Sequence, residues 1–170
     1  MSDRITTLKG DPLTLAGAEL SVGQAAPVVT VRKNLLEDIS LGEFAGSVRI
    51  FSVVPSVDTS VCALQTKRFN EEAAQLIDVN FITISCDLPV AQGRFCGQES
   101  INPEHMHVFS DHKDIEFSST YGTLISELRL SCRALFVVGK DDSIAYAEYV
   151  SEIADHPDYD AALSCAKCLL

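Results

Sequence analysis

The sequence predicts an α/β sandwich, a central mixed sheet flanked by helices, and three observations lead there. β-branched runs too apolar for a half-exposed strand recur along the chain, helical periodicity alternates with them, and the last two strand-like runs share a short turn before a final helix. With 170 residues, 46% of them apolar, the chain can bury one core, so a single domain over 1–170 is expected.

Residues 1–20 are expected to form an N-terminal hairpin extension, with Gly10-Asp11-Pro12 turning between Ile5-Thr6-Thr7-Leu8 and Leu13-Thr14-Leu15. An irregular arm would satisfy the same residues. Val28 to Val31 and Val48 to Val54 read as strands, the second apolar enough to be covered on both faces, and Pro55 ends it. Helical spacing runs from Ser60 to Leu76, and Val79 to Cys86 returns to a buried strand, which makes a β-α-β unit. A second helix follows Asp87 as its cap, with Pro89 in its first turn and Gly97 stopping it after Cys96. Met106 to Phe109 reads as a strand and Phe117 to Ile125 as a short helix. Ala134 to Val138 and Ile144 to Val150 form a hairpin across Gly139-Lys140-Asp141-Asp142, and Asp158 to Leu169 closes the chain as an amphipathic helix. This order is that of a thioredoxin-like sandwich.

Charge and cysteine content narrow the function. Lys and Arg total 13 against 24 Asp and Glu, a formal charge of -11, so the field repels phosphate backbones and nucleic acid is not an expected partner. No apolar run reaches the roughly 20 residues of a membrane span, and the N-terminus shows no basic stretch followed by an apolar one. A cytoplasmic protein is the expectation. Six cysteines are more than such a core requires, and in a reducing compartment a disulfide between them would be transient and catalytic.

The segment Phe51 to Cys62 carries a strand into a helix whose first turn holds a cysteine. Free N–H groups and the positive end of the helix dipole favour an anion there. At about 100° per residue, Cys62, Phe69, Ala73 and Leu76 share one face while Lys67, Arg68, Glu71 and Glu72 occupy the other. Cys62 therefore faces the core, where burial opposes ionisation. A free thiol ionises near pH ~8.5, so a thiolate at neutral pH needs about 2.7 kcal/mol of help. The dipole supplies about 0.3–1 kcal/mol. A cation beside the sulfur is required, and Arg keeps its charge when desolvated. Arg133, at the entrance to the apolar strand Ala134 to Val138, is the candidate, and strand alternation sends Cys132 to the opposite face. An arginine snorkelling at a sheet edge fits the spacing equally well.

These residues resemble a family. Pro55-x-x-x-Thr59-x-x-Cys62 is similar to the peroxiredoxin active-site pattern, and Lys67-Arg68-Phe69-Asn70 extends the likeness to its bacterial thiol peroxidase branch. Asp87-Leu88-Pro89, Gly93-Arg94-Phe95-Cys96-Gly97, Arg133 and Pro157 to Leu163 carry it over nearly the whole chain. The resemblance implies a peroxidatic Cys62, a resolving Cys96, a peroxide-orienting pair in Thr59 and Arg133, and a Pro55 that shields the thiolate. It also implies hydrogen peroxide or alkyl hydroperoxide as substrate, thioredoxin as reductant, a homodimer, and no cofactor. In that scheme Cys62 attacks a peroxide oxygen, and the sulfenic acid formed is trapped by a second thiol before further oxidation. The two cysteines start on separate helices, so local unfolding is expected before their Cα atoms come within about 7 Å.

Cys86 and Cys132 read as small core residues that remain available as substitute resolving thiols. Cys165-Ala166-Lys167-Cys168 lies at a helix C-terminus, where the dipole disfavours thiolates, and lacks the further ligands of a zinc site. His105, His107 and His112 read as polar loop or strand-edge residues. Two other functions compete: a non-catalytic peroxide sensor or redox adaptor, and a disulfide oxidoreductase, which the missing second cysteine of a C-x-x-C at Cys62 disfavours.

Overall fold

The computed structural model describes residues 4–170, so the first residues of the expected 1–20 extension lie outside the described residues. The chain opens with a hairpin, β1 (Arg4–Leu8) and β2 (Asp11–Ala16). Its turn sits on Lys9 and Gly10, at φ 53 and 86. Two successive left-handed residues match the twist of paired strands, and Gly10 adopts that conformation without strain. The turn thus shares only Gly10 with the expected tripeptide, Asp11 and Pro12 being strand residues opposite Leu8 and Thr7.

A small antiparallel pair follows, β3 (Thr30–Arg32) and β4 (Asp38–Ser40). The strand expected from Val28 begins later because Val28 projects into solvent and the Val29 carbonyl bonds Leu41 N–H. Then come β5 (Val48–Val53), α1 (Ser60–Ala73) and β6 (Val79–Ser85), with β5 and β6 parallel as a β-α-β unit requires. α2 (Pro89–Gln98) leads to β7 (Met106–Ser110), parallel to β6. The short α3 (Glu116–Thr120), β8 (Leu124–Ile125) and β9 (Leu130–Ser131) precede the hairpin β10 (Ala134–Val138) and β11 (Ile144–Tyr149), and α4 (Tyr159–Cys168) ends the chain.

Helix boundaries differ from expectation in α1, α2 and α3. α1 stops at Ala73, short of Leu76. In α2 the N-cap position is Leu88, because the Asp87 carboxylate is committed elsewhere, and Gly97 lies inside the helix with Glu99 as its C-cap. The helix expected over 117–125 is only α3: Gly122, at φ 64, breaks it, and Leu124 and Ile125 pair with β2 and β9. A Cβ on Gly122 would lie 2.2 Å from the Ala18 carbonyl oxygen, so no other residue fits.

The main sheet has seven strands in the order β11-β10-β5-β6-β7-β3-β4, and a second, four-stranded sheet runs β1-β2-β8-β9. Alternation sorts the main sheet's side chains into two cores. Phe51, Val53, Ile82, Ile84, Phe136 and Val138 face the layer containing α3, Tyr121 and the second sheet. Val48, Ile50, Phe81, Leu135 and Val137 face the layer that includes Phe69 and Ala73 of α1 and Ala162, Leu163 and Ala166 of α4. No helix among the described residues is long and apolar enough to cross a membrane.

Candidate active site

The site forms where β5 ends beside the start of β10. Ala134 pairs with Val53, so Arg133 lies one step beyond the ladder at the C-terminal edge of β5. In the alternation of β10, Leu135 and Val137 face α1, and Arg133 continues that row, while Cys132 belongs to the opposite core. Beyond β5, the loop over 54–59 turns the chain into α1. Thr59 holds the N-cap position in extended conformation, and Ala63 N–H bonds back to Thr59 C=O at 2.9 Å. The amides preceding Ala63 have no intrahelical partner, which leaves the positive end of the helix open around Cys62.

Cys62 and Arg133 meet across this corner: Arg133 Nη2 donates to Cys62 Sγ at 3.3 Å. Arg133 is 1% exposed. Its Nε donates to Ile153 C=O at 2.9 Å and its Nη1 to Gln65 Oε1 at 2.7 Å. No carboxylate among the described residues pairs with it. A buried guanidinium without a counterion is costly, and the sulfur is the one partner in its shell able to take a full negative charge.

Gln65 and Ile153 are parts of this arrangement that the sequence reading missed. Gln65 is fully buried and also donates through Nε2 to Ser52 Oγ at 2.8 Å. It sits three residues after Cys62 on the stripe that Phe69 continues. A polar amide on an otherwise apolar helical face was the available signal, since such a group must find partners inside. Ile153 contributes a backbone carbonyl, which no side-chain pattern reveals.

The other expected residues are placed unevenly. Pro55 is buried and shares a cavity of about 270 Å³ with Thr59 and Arg133, walled by Leu8, Val61, Ile125, Leu128, Leu130 and Ile153. Thr59 is exposed, and its Oγ1 donates to Ser56 C=O at 3.2 Å, which leaves its lone pairs free to accept. Cys96 is half-buried on α2, in a separate cavity of about 540 Å³ with Gln92, Met106, His107 and Phe109. Burial pushes its thiol above the ordinary range. All six cysteines are free.

Cys132 is fully buried, and burial pushes its thiol up to about 12. Cys86, expected in the core, is only half-buried and joins neither core cluster. It abuts a polar chain instead, its sulfur 3.9 Å from both the Ser118 and Ser131 hydroxyls. Cys165 packs against the α-helical core while Cys168 is exposed. His107 is stacked on Phe109 with ring centroids 5.6 Å apart.

A helix-opening cysteine facing a guanidinium on a thioredoxin-like frame is the arrangement of a thiol-based enzyme. Comparison with known proteins is specific. The Redoxin family model matches residues 21–163. A thiol peroxidase of Bacillus subtilis is 50% identical over 164 residues, covering 96% of this chain and 97% of the relative. One from Listeria monocytogenes is 47% identical, covering 95% and 96%. Among solved structures, a peroxiredoxin-like protein from Aquifex aeolicus superposes with TM-score 0.90 at 38% identity over 98% of each chain. A thiol peroxidase from Chromobacterium violaceum, with TM-score 0.85 at 19% identity over 98% of this chain and 97% of that one, shares the fold. This chain belongs to the Redoxin family and, within it, to the thiol peroxidases. It is a thiol-dependent peroxidase.

Proposed function

We propose that the chain reduces hydroperoxides through Cys62, with Cys96 as the resolving thiol and a dithiol of the thioredoxin type as the reductant. The observation that carries this is the 3.3 Å contact between Arg133 Nη2 and Cys62 Sγ, in a core where the guanidinium has no carboxylate partner among the described residues. Cys62 attacks one peroxide oxygen while the O–O bond breaks, and Arg133 with the helix-end amides stabilises the charge moving onto the departing alkoxide or hydroxide. Thr59, whose hydroxyl hydrogen rests on Ser56, accepts the peroxide O–H, and Pro55 keeps bulk water from the sulfur. Cys62 sulfenic acid then condenses with Cys96, releasing water, and the exchanging dithiol reopens the disulfide.

The apolar wall of Leu8, Ile125, Leu128, Leu130 and Ile153 favours hydroperoxides with an alkyl or aryl body over hydrogen peroxide, because each buried methylene contributes about 0.8 kcal/mol. We further propose a homodimer working in the cytoplasm, on the resemblance to peroxiredoxins; sedimentation at micromolar concentration tests the assembly. The decisive experiment is a coupled assay with thioredoxin, its reductase and cumene hydroperoxide, followed by mass mapping of oxidised peptides. A 62–96 link with sustained turnover is expected. Turnover unaffected by Cys62→Ser would remove the proposal's centre.

A further inference from the structure

Asp87 lies between the loop that delivers Cys62 and the helix that carries Cys96. Its Oδ1 accepts from Ser56 Oγ at 2.7 Å, and its Oδ2 accepts from Val57 N–H at 2.8 Å and Ser85 Oγ at 2.6 Å. Ser56 and Val57 belong to the loop between β5 and α1, Ser85 ends β6, and Pro89 begins α2 just after Asp87. The Asp87 carbonyl accepts from Ser110 Oγ at the end of β7, so backbone and side chain are both fixed. No cation among the described residues pairs with this carboxylate, so its charge is met by hydrogen-bond donors alone. Such charge-assisted bonds are the stronger kind.

We infer that Asp87 is a positioning residue that clamps the Cys62 loop to the start of α2 in the peroxide-reacting arrangement and is released when the two cysteines join. The inference rests on the proposed pairing of Cys62 with Cys96. Cys62 is fully buried in the first turn of α1, and Cys96 lies near the far end of α2. A disulfide needs their Cα atoms within about 7 Å, so these segments shift relative to one another, and the clamp spans the joint between them. The peroxide step uses the closed arrangement: an S–O bond forms at Cys62, the O–O bond breaks, and the alkoxide leaves as alcohol after protonation. The second step uses the open one: Cys96 thiolate attacks the sulfenic sulfur, an S–S bond forms, and hydroxide leaves as water. Weakening the clamp slows the first step and hastens the second.

The test is Asp87→Asn, which keeps one acceptor oxygen and turns an amide NH₂ toward the donors. Quenched-flow samples analysed by mass spectrometry separate Cys62 sulfenic acid, trapped with dimedone, from the 62–96 disulfide. Cys62 oxidation is expected to slow about tenfold, disulfide closure to quicken about threefold, and Cys62 sulfinic acid at high peroxide to decrease. A general loss of structure would slow both steps together, and that result, or no change in either, overturns the inference. Ser56→Ala removes one bond only and should shift both rates in the same directions by less. The double variant should match Asp87→Asn alone, whereas additive effects overturn a direct coupling. The underlying pairing is read separately, in the unmutated protein. If no 62–96 peptide forms there, the resolving assignment falls, while unchanged Cys62 oxidation in Asp87→Asn sinks the clamp whichever thiol resolves.

Discussion

Gln65 Oε1 accepts a hydrogen bond from Arg133 Nη1 at 2.7 Å, inside a core where neither residue is more than 1% exposed. The amide is neutral, and that matters for the sulfur. A carboxylate in its place would become the guanidinium's counterion and remove the electrostatic help that the proposed mechanism draws from Arg133 at the sulfur. Gln65→Glu is therefore expected to keep the fold while lowering the second-order rate of Cys62 with cumene hydroperoxide by about ten- to a hundredfold. Gln65→Leu should act differently, leaving an Arg133 N–H and the Ser52 hydroxyl unpartnered at a cost of about 1–3 kcal/mol in stability. Competition kinetics and thermal unfolding separate the two; equal rate losses with equal destabilisation would refute the electrostatic account.

Arg133 itself divides its donors among three groups: Ile153 C=O, Gln65 Oε1 and Cys62 Sγ. A lysine ammonium is a point charge that cannot reach all three in the plane of the guanidinium fork. Arg133→Lys is expected to retain some reactivity, about 1–10% of the original rate, whereas Arg133→Met should fall by about a thousandfold and lose stability through orphaned acceptors. Stopped-flow oxidation rates measured side by side check the order; a methionine variant as fast as the lysine variant would contradict it.

How legible this was in the sequence depends on the kind of signal. The main strands and α1 follow from periodicity because both faces of the sheet are covered, and a strand such as Val48–Val53 has no other stable home. Cys62 and Arg133 could be nominated because a buried thiolate needs a cation and the alternation from Ala134 points Arg133 toward α1. The two-residue strands β8 and β9 left no pattern, since Leu124 and Ile125 are held by pairing with β2 and β9 across the chain. In the sequence Asp87 reads as a helix cap because local rules count only nearby amides, whereas its donors include Ser56 and Val57 some thirty positions earlier. Short elements and polar anchors of this type depend on tertiary partners, which periodicity does not encode.

Glu152 ties the N-terminal hairpin to the strand-end loop that holds Arg133. It accepts from Ala154 N–H at 3.1 Å, Thr7 Oγ1 at 2.8 Å, Lys9 N–H at 3.0 Å and Gly10 N–H at 3.1 Å, and the adjacent Ile153 supplies the carbonyl for Arg133 Nε. These bonds, led by that from Ala154, lower its carboxyl from the ordinary 4.5 to about 2. The folded value is depressed, so this contribution is present above 4.5 and is lost as pH falls toward about 2. Protection of the β1 and β2 amides, measured against their intrinsic exchange rates, should fall over that acid window, and Glu152→Gln should show lower protection already at neutral pH with a flatter acid response. Unchanged exchange in the variant at neutral pH would mean the hairpin is held by its other contacts, such as Thr7 N–H to Ser151 C=O at 2.8 Å.

Cys96, the proposed resolving thiol, meets a different constraint, because that role asks for a nucleophile from a place that disfavours its anion. Burial raises its thiol above the ordinary 9.0, so with α2 closed it stays protonated at neutral pH. The raised folded value means that the stabilisation from the neutral thiol is complete below 9.0 and declines as pH climbs through the folded value. Between pH ~7 and ~9 the growing thiolate fraction of Cys96 alone drives disulfide closure upward, and loosening of the helix that holds it adds to this only above 9.0. After a fixed pulse of peroxide, the rate of 62–96 closure should rise steadily from pH ~7 to ~9, by up to about tenfold per unit at the steepest. Cys96→Ser should complete one oxidation of Cys62 and then stall at every pH. If closure were flat across this range the account of Cys96 would fail, and if Cys86→Ala abolished disulfide formation at Cys62 while Cys96→Ser did not, the resolving thiol would have to be sought at the half-buried sulfur beside Ser118 and Ser131.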